Sequence, residues 1–412
     1  MKTKFPRRLS WELRLGLVLG LAAAGLATSP AAKLSPLEEL GKKLFFDKNL
    51  STPPGQSCAA CHDPRDGWVG TNTNATAVYE GALKGRFGNR KPPSAAYAGD
   101  GSSLAMTKDG DFVGGLFWDG RATGATWKDP LAEQAGGPFL NPLEQNNSDR
   151  KTVVLKVSDS GYAALAEQVW KVPRADWETS VDRIYENICR SIAAFERSAE
   201  VSAFASSFDR FWAAAAAAKL KVGAIDASNV KRYAGLGLGD AELEGLMLFN
   251  TRGKCARCHT LDAAPGGKPP LFTDFSYDNI GVPVRADNPF YALGKEFNPQ
   301  GRAWVDPGLG GFLKSDPRFA AYAERNLGKH KVPTLRNVDL KSDPARPKAY
   351  MHNGYFLSLK DVVHFYNARD LGGFPPSEVK ANLNTEEVGK LGLSDAEENA
   401  IVAFLKTLTD RI

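Results

Sequence analysis

Two five-residue motifs, CAACH at 58–62 and CARCH at 255–259, restrict the folds that this chain of 412 residues can adopt. Cys-x-x-Cys-His is the attachment sequence of c-type haem, in which both thiols bond to the porphyrin and the histidine ligates the iron. With only five histidines in the chain, chance does not account well for two such matches. The motifs therefore predict two covalently bound haem c groups. Their cofactor-binding residues are Cys58, Cys61, His62, Cys255, Cys258 and His259.

Two other uses of paired cysteines explain the motifs less well. A thioredoxin-like redox pair is expected within a βαβ pattern, and no such pattern is evident. A zinc site shared by four thiols gives no reason for a histidine after each pair. The fifth cysteine, Cys189, lies among Ile184, Ile188 and Ile192, which predicts a buried, inert thiol.

The first 29 residues predict a cleavable secretory signal peptide. A basic start is followed by an apolar run from Leu15 to Ala27 and by small residues, and the run is short for a membrane span. An uncleaved anchor is the alternative. The leader predicts that the protein is periplasmic, and the periplasm is the compartment in which haem c is attached. No later segment is apolar enough to cross a membrane.

The formal charge of +5 comes mostly from this leader, which carries five basic side chains against Glu12 alone. The mature chain is close to neutral and has no long basic stretch. This composition argues against nucleic acid as a partner.

An internal repeat predicts the domain organisation. A helix containing Gly41, Leu44 and Phe45 precedes the first motif, with Ser35 as its N-cap and Leu37 on its apolar face, and a helix containing Gly245, Leu248 and Phe249 precedes the second. A further apolar helix follows each motif far downstream, at 181–198 and 394–408. We predict a mostly α chain with two cytochrome c-like haem domains and long loops. The domains span 34–212 and 240–412, joined by a linker or insertion at 213–239.

The stretch YMHNGYFLSLKDVVHFYN at 350–367 ends in a predicted helix that starts after Ser358 and stops at Gly372. Its apolar face consists of Leu359, Val362, Val363 and Tyr366. Tyr366 therefore points inward, either toward an iron or as a core tyrosine with a hydrogen-bonded hydroxyl. On the opposite face His364 is predicted to be solvated. Met351 can reach an iron or fill a gap, and His330 and His352 receive no firm role.

An enzyme needs an open iron position with an acid or base beside it. The segment at 116–145 offers candidates for that role: Trp118, Gln134, Pro138 and Glu144. By composition alone, a tryptophan in a loop is more often a packing residue and a glutamate in a loop is more often solvated.

Four stretches together resemble the bacterial di-haem cytochrome c peroxidase family, which includes the MauG-like enzymes: FWDGRA, EQAGGPFLNPLE, VPTLRNV and the stretch at 350–367. The resemblance implies that a haem on His62 reacts with hydrogen peroxide and that a second haem on His259 stores or relays oxidising equivalents. It places Trp118 between the haems and Pro138 over the first iron. It also implies that Gln134 and Glu144 line the peroxide pocket, where a glutamate can move a proton between the peroxide oxygens.

Two departures from that family, and one position at which its members differ, affect the expected function. No histidine occurs at 63–93 to cap the first iron, so we expect this haem to stay open without reductive activation. Lys91 stands where the family has a calcium-binding asparagine, so calcium is doubtful here and the ammonium can replace it. Tyr366 stands where classical members have methionine and MauG-like members have tyrosine. As an iron ligand, an anionic phenolate would stabilise the oxidised metal.

Three functional hypotheses follow. The first is a peroxidase that draws electrons from a small redox protein and shares the oxidation between two haems. The second is a MauG-like oxidase that modifies a side chain, such as tryptophan, of a partner protein. The third is a non-catalytic di-haem electron carrier.

Overall fold

Short helices joined by long loops make up most of the chain. The computed structural model describes residues 33–70, 77–345 and 347–411, so the predicted leader at 1–29 lies outside the described residues. The mostly helical prediction is confirmed. The helices are α1 (Pro36–Phe46), α2 (Pro130–Leu140), α3 (Arg150–Ser158), α4 (Ala163–Trp170), α5 (Val181–Glu196), α6 (Ser207–Ala217), α7 (Asp240–Asn250), α8 (Gly308–Ser315), α9 (Leu359–Ala368) and α10 (Asp395–Lys406).

Strands are few and short in the described part of the chain. β1 (Ala105–Met106) pairs antiparallel with β2 (Phe112–Val113), and β3 (Tyr277–Asp278) pairs antiparallel with β4 (His330–Lys331). In the second ladder Asp278 lies opposite His330. The first ladder is a short hairpin, and the second closes the long segment between Asp278 and His330.

Side-chain caps explain where the repeated helices begin. The Ser35 hydroxyl accepts a hydrogen bond from the Glu38 amide, and the Ser35 amide donates to the Glu38 carboxylate. Ser394 and Glu397 form the same reciprocal pair at the start of α10. Such capping boxes satisfy amides that the helix itself leaves without acceptors.

The predicted repeat corresponds to two closely packed helix pairs, α1 with α5 and α7 with α10. A Cβ atom on Gly41 would lie 1.9 Å from the Ser191 carbonyl oxygen, and one on Gly245 would lie 1.9 Å from the Ala400 carbonyl oxygen. Glycine is therefore required at both crossings, because any side chain would push the helices apart. Leu37 differs from its prediction: it is 37% exposed and lies outside the buried face of α1.

Two large hydrophobic clusters surround these helix pairs. The first includes residues of α1 to α5, and Cys189 is fully buried in it, as its apolar neighbours predicted. The second includes residues of α6, α7, α9 and α10. Within 213–239, Val222, Ile225 and Tyr233 are buried in the second cluster, so this segment is packed. The proposed boundary between two haem domains remains a prediction.

No helix among the described residues combines the length and the apolar character needed to cross a membrane.

We predict that Gly41→Ala and Gly245→Ala each lower the free energy of unfolding by about 2 kcal/mol or more, because the clash is with backbone of the partner helix. Without the clash, alanine would favour a helix by up to about 1 kcal/mol. Gly161→Ala is the matched control, since a Cβ there meets nothing within 4 Å. Urea unfolding of the haem-loaded protein measures the effect. An unchanged midpoint in both helix variants would contradict the packing argument.

A second prediction concerns Glu196, at the end of α5, which is 4% exposed. Burial raises the pKa of this carboxyl to about 8, and its Oε2 makes no hydrogen bond within the described chain. An unfolded glutamate ionises near about 4.3. The folded state therefore loses stability as the pH rises from that value through about 8.

Glu196→Gln should accordingly stabilise the protein on the order of 3 kcal/mol near about pH 9 and by less than about 1 kcal/mol near about pH 5. Thermal unfolding at both pH values tests this. Glu200→Gln is the control, because the Glu200 carboxylate pairs with Lys42 near the surface, at 2.6 Å. A stabilisation of Glu196→Gln that does not depend on pH would refute the assignment.

Candidate active site

Each motif contributes residues to the wall of a cavity, and the larger of these two cavities, about 220 Å³, is lined by residues of the second motif. Cys255, Cys258 and His259 reach it from the loop after α7, and Tyr366 reaches it from α9. His259 Nδ1 lies 2.8 Å from the Phe272 carbonyl oxygen, so Nδ1 carries the proton and Nε2 keeps its lone pair. Burial lowers the pKa of His259, which favours the neutral imidazole that a metal requires.

Helix α9 positions Tyr366 as the sequence predicted. Its N-cap is Ser358, whose hydroxyl accepts a hydrogen bond from the Asp361 amide. Burial, together with the charges of Cys258 and Cys255, raises the pKa of Tyr366 far above its usual value. The Tyr366 hydroxyl makes no hydrogen bond to any described residue. A core tyrosine with a bonded hydroxyl does not match this environment, whereas a phenol facing a cofactor cavity does.

The smaller cavity, about 60 Å³, is lined by His62, Trp118 and Gln134. His62 Nδ1 lies 3.1 Å from the Trp68 carbonyl oxygen, which is the arrangement found at His259. Burial lowers the pKa of His62 to about 4. Both motifs thus present a buried, neutral imidazole whose Nδ1 is held by a backbone carbonyl, and this donor chemistry fits ligation of two haem irons.

The thiols of the first motif lie beside this cavity and are flanked by amide side chains. Gln145 Nε2 is 3.9 Å from Cys58 Sγ, and Gln56 Nε2 is 4.0 Å from Cys61 Sγ. In both motifs the backbone turns in a single 3₁₀ segment, from Cys58 to Ala60 and from Cys255 to Arg257. The same local geometry presents both pairs of thiols.

Trp118 lines both cavities. Its indole is 8% exposed, and its Nε1 donates a hydrogen bond of 2.7 Å to the Lys91 carbonyl oxygen. Lys91 itself lines the larger cavity, where its Nζ donates to the Pro92 carbonyl oxygen at 3.2 Å. Burial lowers the pKa of Lys91 to about 8.

Pro138 and Glu144 are the other two candidates of the segment at 116–145, and Pro138 lies one turn after Gln134 in the same helix. Pro138 is inside α2, and Glu144 is in the loop that follows it. Among the described residues, the wall of the smaller cavity includes neither. Burial raises the pKa of Glu144, although the charge of Arg121 opposes this, and the Glu144 charge in turn raises the pKa of Cys61. Glu144 is therefore a buried acid near the first motif.

Two charged residues of the larger cavity, Asp306 and Glu378, had no signal in the sequence. The Arg90 guanidinium binds Asp306 through Nε at 2.6 Å and Asp119, in the FWDGRA stretch, through Nη1 at 2.6 Å. Asp306 and Glu378 are far apart in the chain and belong to no motif, so only the folded backbone brings them together.

The histidines left without a firm role occupy different places. His330 and His352 both line the larger cavity, and Met351 lies there too. His364 is exposed as predicted, but its Nδ1 lies 2.9 Å from a Glu398 carboxylate oxygen. It is therefore a paired surface histidine.

Comparison with known proteins gives consistent matches. The family model described as di-haem cytochrome c peroxidase matches residues 35–217. The chain is 32% identical to the methylamine utilization protein MauG of Paracoccus denitrificans, over 97% of this chain and 96% of that protein. It is 29% identical to the cytochrome c551 peroxidase of Nitrosomonas europaea, over 95% of this chain and 86% of the relative.

A solved structure agrees with these matches. The diheme peroxidase BthA of Burkholderia thailandensis has a TM-score of 0.71 and 30% identity, covering 92% of this chain and 90% of that one. The likeness to MauG runs over nearly the whole of both proteins. The chain therefore belongs to the di-haem cytochrome c peroxidase family, which implies haem cofactors, and is a peroxidase-type oxidoreductase.

Proposed function

We propose that the chain is an exported, periplasmic di-haem c-type enzyme that reacts with hydrogen peroxide at a haem on His62. A second haem, on His259 and Tyr366, would share the oxidising equivalents. The observation that carries this proposal is that Tyr366 and the second motif line one cavity, while Trp118 lines that cavity and the one beside His62. Covalent attachment through the two pairs of thiols is part of the proposal.

When bound, the haem groups supply an iron that accepts peroxide and holds oxidising equivalents. The protein supplies proton transfer beside it. Burial raises the pKa of Glu144, which makes its carboxylate a stronger base that can take a proton from one peroxide oxygen and return it to the other. Gln134, in the cavity wall, can donate a hydrogen bond that orients the peroxide. Pro138 is proposed to occupy the position over this iron.

Trp118 is proposed to carry electrons between the two cavities. It is buried and its N–H is held by the Lys91 carbonyl oxygen, which fixes the plane of the ring. An extended π-system in both walls shortens the distance that an electron must cross. Tyr366 is proposed to lose its proton on ligating iron, because a phenolate is a hard, anionic donor that favours the oxidised metal.

Two kinds of electron source fit this site. A peroxidase would draw electrons from a small redox protein, and the cytochrome c551 peroxidase relative is consistent with this. A MauG-like oxidase would oxidise a side chain of a partner protein. The MauG relative, Tyr366 and the absence of histidine at 63–93 in the sequence favour this second reading. The peroxidase-type relatives give less support to a non-catalytic carrier.

Lys91 bears on the calcium question. Its buried ammonium has a pKa of about 8 and is mostly charged at neutral pH. We propose that this fixed cation takes the place of calcium, since it lines the larger cavity and cannot act as a ligand.

The first prediction for this site is that Tyr366→Phe raises the midpoint potential of one haem on the order of 100 mV, because an anionic ligand is lost. The electron paramagnetic resonance spectrum of the ferric protein should change for the same haem. Tyr322→Phe is the control, since Tyr322 packs against Arg325 and lines neither cavity. An unchanged potential and spectrum would make Tyr366 a core tyrosine.

The second prediction is that Glu144→Gln slows the reaction with peroxide by about 10²–10⁴-fold, since glutamine cannot move a proton. The wild-type rate should rise with pH through the raised pKa of Glu144, and the variant should lose this dependence. Stopped-flow absorption measures both. Glu186→Gln, which breaks only the ion pair with Arg190, is the control. A rate within about twofold of wild type, with full haem content, would exclude Glu144 as the acid–base group.

A further inference from the structure

Two histidines without a role in the proposed reaction stack on each other in the wall of the larger cavity. The rings of His330 and His352 are 3.6 Å apart and inclined by 12°. His330 belongs to β4 and His352 to the turn before α9, so tertiary structure creates the pair. Their side chains are only 11% and 6% exposed.

The hydrogen bonding of His330 fixes where its lone pair points. Its Nδ1 lies 3.1 Å from the Gly328 carbonyl oxygen, so Nδ1 carries the proton. Nε2 therefore keeps a lone pair, and it lies 3.4 Å from Asp306 Oδ1. A lone pair facing a carboxylate oxygen is repulsive unless a cation lies between them.

His352 also faces a carboxylate through Nε2. Its Nε2 lies 3.6 Å from Glu378 Oε2. Neither histidine Nε2 makes a hydrogen bond in the described part of the chain, although both atoms are buried. Protonating both rings would stack two cations at 3.6 Å, which like-charge repulsion opposes. One shared cation satisfies both nitrogens without that repulsion.

The carboxylate of Asp306 has room for such a cation. A carboxylate offers about four lone-pair positions. Arg90 uses two of them, through Nε and Nη2, and the Gly308 amide uses a third. The fourth position, on Oδ2, remains for a ligand, since Arg90 Nη2 and the Gly308 amide both bond to Oδ1.

We propose that Asp306, His330 and His352 form a binding site for one divalent transition-metal ion, with Glu378 as a further carboxylate beside it. The three ligand atoms lie within 4.8 Å of one another. Imidazole nitrogen and carboxylate oxygen together suit metal ions that are intermediate between hard and soft, such as zinc. Modest side-chain rotations would bring the atoms to bond lengths of about 2.0–2.2 Å.

A metal ion here would tie together parts of the chain that are distant in sequence. Asp306 precedes α8, His330 is in β4, and His352 precedes α9. Binding to the folded state alone stabilises that state. The site should therefore raise the unfolding temperature when it is filled, independently of peroxide activity.

The test uses untagged protein with both haems attached, so that the motif thiols cannot bind zinc. Haem content is measured separately, which distinguishes failure of this site from failure of haem attachment. After treatment with a chelator, zinc sulfate is added and bound zinc is counted by mass spectrometry of the desalted protein. We expect about one zinc per chain, a higher unfolding temperature, and zinc K-edge absorption with nitrogen and oxygen at about 2.0–2.1 Å.

Competition with a chromophoric chelator then compares variants. His330→Gln and His352→Gln should each weaken zinc binding by at least about tenfold. His364→Gln is the matched control, because that histidine is exposed and pairs with Glu398. Should a buried variant fail to fold, Glu378→Gln should still weaken binding. No saturable zinc in wild type, equal binding in His352→Gln, or sulfur at about 2.3 Å would overturn the proposal.

Discussion

Two helix crossings without a side chain between them hold the rest of the structure in place. At Gly41 and Gly245 the backbone of one helix meets a carbonyl oxygen of the other so closely that no Cβ fits. Close approach lets the neighbouring Leu44, Phe45, Leu248 and Phe249 become buried. Each crossing lies just before a Cys-x-x-Cys-His loop, so it sets where the thiols and the histidine stand.

The two halves use the same device to prepare a ligand and then differ around it. His62 and His259 each direct Nδ1 to a backbone carbonyl, which leaves Nε2 for a metal. The cavity beside His259 contains Tyr366, whereas the cavity beside His62 contains Gln134, and Trp118 lines both. A shared framework with different surroundings is how one fold can give two haems separate tasks.

Buried charges join segments that the helices leave apart. Arg90 binds both Asp119 and Asp306, and Lys348 donates to three backbone carbonyl oxygens, those of Asp66, Asn337 and Leu340. Burying such groups is favourable only when each finds partners. Among the described residues, the buried Nε2 atoms of His330 and His352 have no hydrogen-bond partner. For this reason we infer that a cation binds there.

The sequence by itself determined the features that depend on residues close together in the chain. The Cys-x-x-Cys-His motifs, the caps at Ser35 and Ser358, the glycines of the repeat and the inward face of α9 with Tyr366 follow from local spacing. The spacing of apolar residues wrongly predicted that Leu37 lies on the buried face of α1, because the partner helix covers only part of that face. The sequence also did not show that Gln134 is in the wall of the smaller cavity while Pro138 and Glu144 are not. Only tertiary structure decided that Trp118 lines both cavities and that Asp306, His330 and His352 converge, since contacts between distant segments leave no periodic or local trace in a chain.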